Sequence, residues 1–317
     1  MNIFDDVTLL YKVAKYYYIN DYSQHEIAKT LNFSRPQISR LLKRARELGI
    51  VQIEVSLPNT LDRRQLTQEI KKLFNLKNVI ISPVVPNEKE SDSGLYALAA
   101  DYLHKALSNC KNIGVGWGKT LYHTALQLSY QEQHPEMTFY PLIGNSGNNN
   151  PYLQTSSITD RFAEKFRAKA YFSNSLAVML KSNYTSVEQE RVKKLRNAWA
   201  NLDTAIIGLG GKNLLDKIYI DEISESAEFQ KQIDHITGDI LATFFLDDRT
   251  NLKYPENYYL EAIDLKTLQS LENVICIAGG PNKVDAICYA AESGYFKTLI
   301  TDERTAKAIL KKNDLFV

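Results

Sequence analysis

From residue 77 onward, short apolar runs alternate with stretches in which apolar residues recur every three or four positions. The runs are NVIISPVV (78–85), NIGVG (112–116), TFYPLIG (138–144), AIIGLGG (205–211), NVICIAGG (273–280) and TLITD (298–302). Between them lie helix-period stretches such as LYALAADYLHKAL (95–107), VEQERVKKLRNAWANL (187–202) and KVDAICYAAESG (283–294). Continuous apolar runs of this length suit strands buried on both faces. Their alternation with helices predicts an α/β fold with a parallel sheet covered on both sides.

The first 57 residues follow another pattern. Ser23 precedes Glu26 by three positions, and Ser34 precedes Gln37 by three. Each pair forms a capping box, in which the serine oxygen takes an orphan amide of the first turn and the later side chain reaches back. Two helix starts 11 residues apart predict a short helix over 23–31, a turn at Asn32 and Phe33, and a second helix ending at Gly49. Helix, tight turn and helix suit a helix-turn-helix, with LLYKVAKYYYIND (9–21) completing a three-helix core. Its second helix would present Arg35, Gln37, Ser39 and Arg40 to base edges and Lys43, Arg44 and Arg46 to phosphates. Ser23, Gln24 and Ser34, at the helix starts, complete the candidate DNA-binding set. An ordinary helical hairpin with a solvated basic face is the alternative. IVQIEVSL (50–57) alternates like a short strand or wing, and LDRRQLTQEIKKLFNL (61–76) reads as an amphipathic helix. That helix serves as a linker that dimerises, or else packs on its own domain.

Charge sharpens this reading. Lys and Arg total 38 against 37 for Asp and Glu, so the net charge of +1 names no partner. Residues 23–46 hold six basic residues and one acidic residue, a local +5, which leaves 1 − 5 = −4 elsewhere. A local basic excess is the footprint of a nucleic-acid face.

Each glycine cluster of the second region falls at the end of a predicted strand: GVGWG, GNSG (144–147), GLGG (208–211) and AGG (278–280). Ligands of parallel sheets sit outside those carboxyl ends. The turn NIGVGWGKT (112–120) fails two nucleotide motifs by one position each. Ile113 stands where a P-loop needs its first glycine, and Lys119 stands where a dinucleotide fingerprint needs its third. The backbone amides of Gly116–Thr120, a helix start and the Thr120 hydroxyl remain able to hold one phosphate. The plain alternative is a tight turn with Trp117 as a core plug. Lys283, in the first turn of the helix after GGPNK, and the acids Asp247 and Asp248 after GDILATFFL face the same predicted crevice.

Composition excludes several classes. With 317 residues, 44% hydrophobic and 24% charged, the chain is expected to be soluble and to hold two domains. No apolar run approaches the ~18–20 residues that cross a bilayer, and MNIFDDVTLL lacks a secretory pattern, so a cytoplasmic protein is expected. Three scattered cysteines and five scattered histidines give no metal-ligand spacing, so no metal or cofactor is expected.

The chain resembles the SorC family of bacterial sugar-binding transcriptional regulators (SorC/DeoR type). The resemblance rests on YSQHEIAKTLNFSRPQISRLLKRARELGIVQI, GVGWGKTL, GDILATFF, IAGGPNKVDAICYA and LITDERTAKAIL, in family order. It implies a winged-helix-like DNA-binding domain over 1–57, a linker helix over 58–77 and an effector-binding and oligomerisation domain over 78–317. That last domain would be Rossmann-like, similar to sugar-phosphate isomerases and without catalysis. The implied partners are operator DNA, a phosphorylated sugar or polyol, and further copies of the chain in a homodimer or homotetramer. Implied effector contacts are Gly116, Trp117, Gly118, Lys119, Thr120, Gly144, Asp247, Gly280 and Lys283. The family's FFD is here FFLDD, so its effector-contacting Asp aligns with Leu246, and Asp247 serves after a shift of one residue. The competing functions are an isomerase-like enzyme with an appended DNA-binding module, and a C-terminal domain used only for oligomerisation.

Overall fold

Ser23 and Ser34 begin the two helices as their spacing predicts. In the computed structural model, which describes residues 6–51, 61–83, 88–147, 150–183, 185–212 and 231–314, the chain divides into two units at Pro58/Asn59. The first holds helices α1 (Val7–Tyr18), α2 (Gln24–Leu31) and α3 (Arg35–Glu47). The Ser23 amide donates to Glu26 Oε2 at 2.8 Å, and the Glu26 amide donates to Ser23 Oγ at 3.3 Å. The Ser34 amide donates to Gln37 Oε1 at 2.8 Å, and the Gln37 amide to Ser34 Oγ at 3.4 Å. Asn32 takes a left-handed φ of 56° and ends α2, a conformation asparagine tolerates better than most residues. Leu10, Ile27, Ile38 and Leu41 are fully buried where the three helices meet. Each contributes about 1.5–3 kcal/mol of burial. The wing expected over 50–57 falls from residue 52 onward outside the described residues.

The second unit is built on seven strands in the order β1-β12-β11-β6-β2-β3-β4. Their ranges are β1 Asn78–Ser82, β2 Asn112–Val115, β3 Thr138–Pro141, β4 Lys169–Ala170, β6 Thr204–Gly208, β11 Val274–Ile277 and β12 Thr298–Asp302. Every neighbouring pair runs parallel. The central strands β6, β11 and β12 are buried along almost their whole length, as their unbroken apolar sequences require. From β2 the chain steps outward through β3 to β4. It then returns to the other side of β2 with β6 and steps outward again through β11 to β12. This reversal between β2 and β6 is a topological switch point, where the carboxyl ends of strands open a crevice.

Helices α4 (Leu61–Leu73), α5 (Glu88–Ala106), α6 (Lys119–Gln127), α7 (Thr155–Phe166) and α8 (Ser186–Trp199) precede three later ones. These are α9 (Leu265–Ser270), α10 (Val284–Glu292) and α11 (Glu303–Lys312). Helix α4 packs on α11 and β1 within the second unit. An antiparallel hairpin, β8 (Ile236–Ile240) and β9 (Thr243–Leu246), pairs with the two-residue β7 (Gly210–Gly211). Its loop is Leu241–Ala242, and both residues have positive φ, 51° and 61°. That is the geometry of a type I′ turn, which normally selects Asn or Gly. A separate antiparallel pair joins β5 (Val178–Leu180) to β10 (Tyr258–Leu260). Among the described residues no helix is long and apolar enough to cross a membrane.

Candidate functional site

The N-terminal face is set by α3. Its apolar side holds Ile38, Leu41, Leu42 and Ala45 in the core, which leaves Arg35, Ser39, Arg40 and Lys43 exposed on the other side. Among the described residues neither Arg35 nor Arg40 pairs with a carboxylate, so both guanidinium groups keep their donors. Lys43 and Arg44 share Glu47, at 3.9 and 3.4 Å. Gln37, expected both in the capping box and at a base edge, forms the box. Its Oε1 already accepts from the Ser34 amide and the Ser34 hydroxyl, at 2.8 and 2.9 Å. A glutamine pairs bidentately with adenine through that same oxygen and its amide nitrogen, and in this structure the oxygen is engaged at the start of α3. Gln24 opens α2 beside the capping residue Ser23.

The crevice lies where four adjacent strands, β11, β6, β2 and β3, end in the four glycine clusters. At the switch point the Gly116 amide donates to Ile206 O at 2.9 Å. A Cβ on Gly116 would stand 2.9 Å from Leu241 Cδ2 at the hairpin tip. Gly118 has φ 117°, and its amide donates to Tyr152 O at 2.7 Å. Two of the five amides expected to cradle a phosphate are therefore engaged, because they tie the turn to β6 and to the 151–153 loop. Those at the start of α6, on Lys119 and Thr120, lack intrahelical acceptors by position and are the ones available to an anion. Trp117 is 7% exposed and packs into the core as a wall.

Across the crevice, Lys283 ends the short turn Pro281–Lys283 before α10. Its Nζ lies 3.4 Å from Thr120 Oγ1. Burial pushes the Lys283 pKa down, while the charges of Asp239 and Asp92 pull it back up. Lys119 Nζ lies 3.6 Å from Asp92 Oδ2, with both side chains more than half exposed. The GLGG cluster gains a physical reason here. A Cβ on Gly210 would stand 1.8 Å from Asp239 Oδ1, and one on Gly211 would stand 2.4 Å from Asn282 O and 3.2 Å from Lys283 Cγ. These glycines let the acid and the lysine approach the sheet.

Asp239 is the acid that sequence reasoning missed. It sits on β8 opposite Gly210, accepts from the Ala242 amide at 3.0 Å and acts electrostatically on Lys283. Burial pushes its carboxyl up to about 6, against the opposing effects of that amide and of Lys283. An acid inside the otherwise apolar run ITGDILATFF was the available signal. Asp247, expected in the crevice, lies instead at the open end of the hairpin. There it is exposed, and its Oδ2 is 2.8 Å from His235 Nδ1. Four residues of strand, about 13 Å, separate His235 from Asp239 near the tip, so a shift of one residue does not bring Asp247 to the crevice. Gly144 has a packing role. A Cβ there would stand 2.5–2.6 Å from the Leu176 and Ala177 backbone. Among the described residues no group of three or more His, Cys, Asp or Glu side chains could hold a metal ion.

Comparison with known proteins bears on this geometry. The Sugar-bind family model, a sugar-binding domain, matches residues 59–311. The chain is 27% identical to the sorbitol operon regulator of Klebsiella pneumoniae over 97% of this chain and 99% of that one. It is 30% identical to the deoxyribonucleoside regulator of Bacillus subtilis over 96% of this chain and 97% of the other. The crystal structure of the full-length sorbitol operon regulator superposes with a TM-score of 0.73 at 26% identity, covering 96% of this chain and 99% of that one.

Proposed function

Because the chain belongs to the SorC family of transcriptional regulators, whose sugar-binding domain it carries over 59–311, we propose that it binds operator DNA through α3 and adjusts that binding when a phosphorylated sugar or polyol enters the crevice. The operon it controls is one of carbohydrate utilisation. The observation that carries the effector reading is the convergence of Thr120 and Lys283 at the start of α6, with Asp239 beside them. A phosphate placed there receives the Lys283 ammonium, the Thr120 hydroxyl and the free amides of the first helical turn. The Asp239 carboxylate then accepts from sugar hydroxyls, which fixes the orientation of the ring or chain.

The relatives compared are named as regulators, not as enzymes. Regulation follows if the effector binds two arrangements of the protein unequally. Paired half-sites in the operator and a homodimer or homotetramer in the cytoplasm complete the reading, since a helix-turn-helix dimer places two helices one turn of duplex apart.

The test is a thermal-shift screen of sugar and polyol phosphates on the 317-residue protein, paired with retention of the DNA upstream of its own operon. A phosphate ester that raises Tm and changes retention supports the reading. Failure of every ester to do either would sink the effector role and leave the second unit as an oligomerisation domain.

A further inference from the structure

Gly280 is where the crevice is tied to the outside of the second unit. Its N–H donates both to Asp302 Oδ2, at 3.1 Å, and to Thr305 Oγ1, at 2.7 Å. The Thr305 hydroxyl spends its one proton on Asp302 Oδ2, at 2.6 Å, and so accepts from Gly280. Asp302 Oδ1 accepts the Thr305 amide at 2.9 Å, which caps α11. Thr305 is wholly buried and Asp302 is 8% exposed, so water does not compete for these bonds. Gly279 has no room for a side chain, because its Cβ would stand 2.4 Å from Asp302 Oδ2. The Lys283 amide then donates to Gly280 O at 3.1 Å. The loop that carries the crevice lysine is thus fastened to the first turn of α11.

The next residue in that turn points at another element. Glu303 Oε2 lies 3.9 Å from Arg63 Nε on α4, and its Oε1 accepts from Lys307 Nζ at 2.8 Å. The Arg63 and Glu303 side chains are only 10% and 13% exposed, so this pair is far less screened than a surface salt bridge. Asp302 and Glu303 are consecutive, one capping the helix and the other beginning it. A helical turn is rigid on the scale of these bonds, so a shift that moves one carboxylate moves the other. Helix α4 is the first described element that follows the DNA-binding unit along the chain.

We propose that the Asp302–Glu303 corner couples the effector crevice to α4, with Asp302 and Thr305 positioning the Lys283 loop and Glu303 passing its displacement to Arg63. The direction of signalling rests on the effector reading above; the mechanical link does not. Filling the crevice pulls on the Gly280 loop and tilts the first turn of α11. The buried ion pair carries the change to the helix through which the chain arrives from its DNA-binding unit. Coupling of this kind travels through rigid elements and hydrogen-bond networks in contact.

Hydrogen exchange on the full chain tests the link with no ligand present. Thr305→Val removes the hydroxyl from the brace and leaves the Gly280 N–H on Asp302 Oδ2 alone. Exchange is expected to rise about tenfold in residues 278–284 and in α4, with β6 unchanged, and Thr305→Ser should restore both. In a Glu303→Gln background the same Thr305→Val change should still loosen 278–284 but add nothing at α4. A loosened loop with α4 unchanged in the Glu303 chain, or additive increases at α4 in the double variant, would overturn the coupling. If Thr305→Val does not fold, Glu303→Gln alone is read in the reverse direction, and unchanged exchange at 278–284 overturns the proposal equally. A failed sugar-phosphate screen would leave these results standing, so the two readings fail separately.

Discussion

Lys283 Nζ lies 3.4 Å from Thr120 Oγ1, although 163 residues of chain separate them. The hydroxyl sits in the first turn of the helix after β2, and the ammonium sits in the turn after β11. Strand β6 lies between β2 and β11 in the sheet, so the two loops meet above it. Lys283→Met and Thr120→Val should each weaken the phosphate ester that gives the largest thermal shift. The loss is about 1.5–3 kcal/mol for the charged partner and about 1 kcal/mol for the hydroxyl. Calorimetric titration measures it, and an unchanged affinity removes either residue from the site. Neither change should unfold the protein, since Met keeps the lysine stem and Asp239, once without that cation, can take up a proton.

Asp239 makes stability depend on pH. Its carboxyl is raised to about 6 in the fold, from an ordinary value of 3.8, chiefly by burial. Between those values the folded state holds a proton that the unfolded state has released. The stabilising contribution is therefore full below the unfolded value and is lost as pH rises through about 6. Asp239→Asn removes this dependence. The variant should match the parent near pH 4 and exceed it above pH 6.5 by on the order of 1–3 kcal/mol. Paired thermal melts across that range check the sign. A parent that gains on the variant as pH rises would contradict the assignment.

On the DNA-binding unit, Arg40 and Gln37 should separate cleanly. Arg40→Ala should weaken operator binding by about 1–3 kcal/mol while the effector-induced thermal shift is kept. Gln37→Ala should cost about 0.5–1.5 kcal/mol of unit stability, because the Ser34 amide loses its acceptor while the Ser34 hydroxyl still caps the residue-37 amide. Gln37→Glu keeps the box and should keep the stability. Circular dichroism melts and filter binding distinguish these effects. A Gln37→Ala chain of full stability with altered base preference would make Gln37 a reader of bases and not a capping residue.

Gly144 and Gly118 should respond to alanine for different reasons. At Gly144 the new methyl meets backbone at 2.5–2.6 Å, so a loop must move, at about 1–3 kcal/mol or more. At Gly118 nothing lies within 4 Å, and only the backbone is penalised, because φ 117° with ψ 158° is a region almost reserved for glycine, by about 1–3 kcal/mol. Both changes should therefore lower Tm. An unchanged Tm for Gly144→Ala would show that space at Gly144 is not the limiting factor.

The elements were legible because their causes are local. Ser23 with Glu26 and Ser34 with Gln37 act over three residues, and the apolar runs that became β6, β11 and β12 announce their own burial. The glycine clusters were legible as strand ends. Their purposes were not, because what a glycine makes room for lies elsewhere in the chain.

What the sequence determined by itself was the two-part α/β architecture, a basic helix after a tight turn, and a glycine turn over 116–120 that opens a helix. Each follows from caps, periodicity or charge within one short segment. Tertiary structure alone decided that Asp239 and not Asp247 accompanies Lys283, because hairpin register puts one acid near the tip and the other at the open end. It also decided that the Gly116 and Gly118 amides are already bonded, and that Gly280 is fastened to Thr305. Those choices depend on strand order and on partners 22 to 163 residues apart. Nothing in a local pattern fixes such pairings until the sheet has brought the loops together.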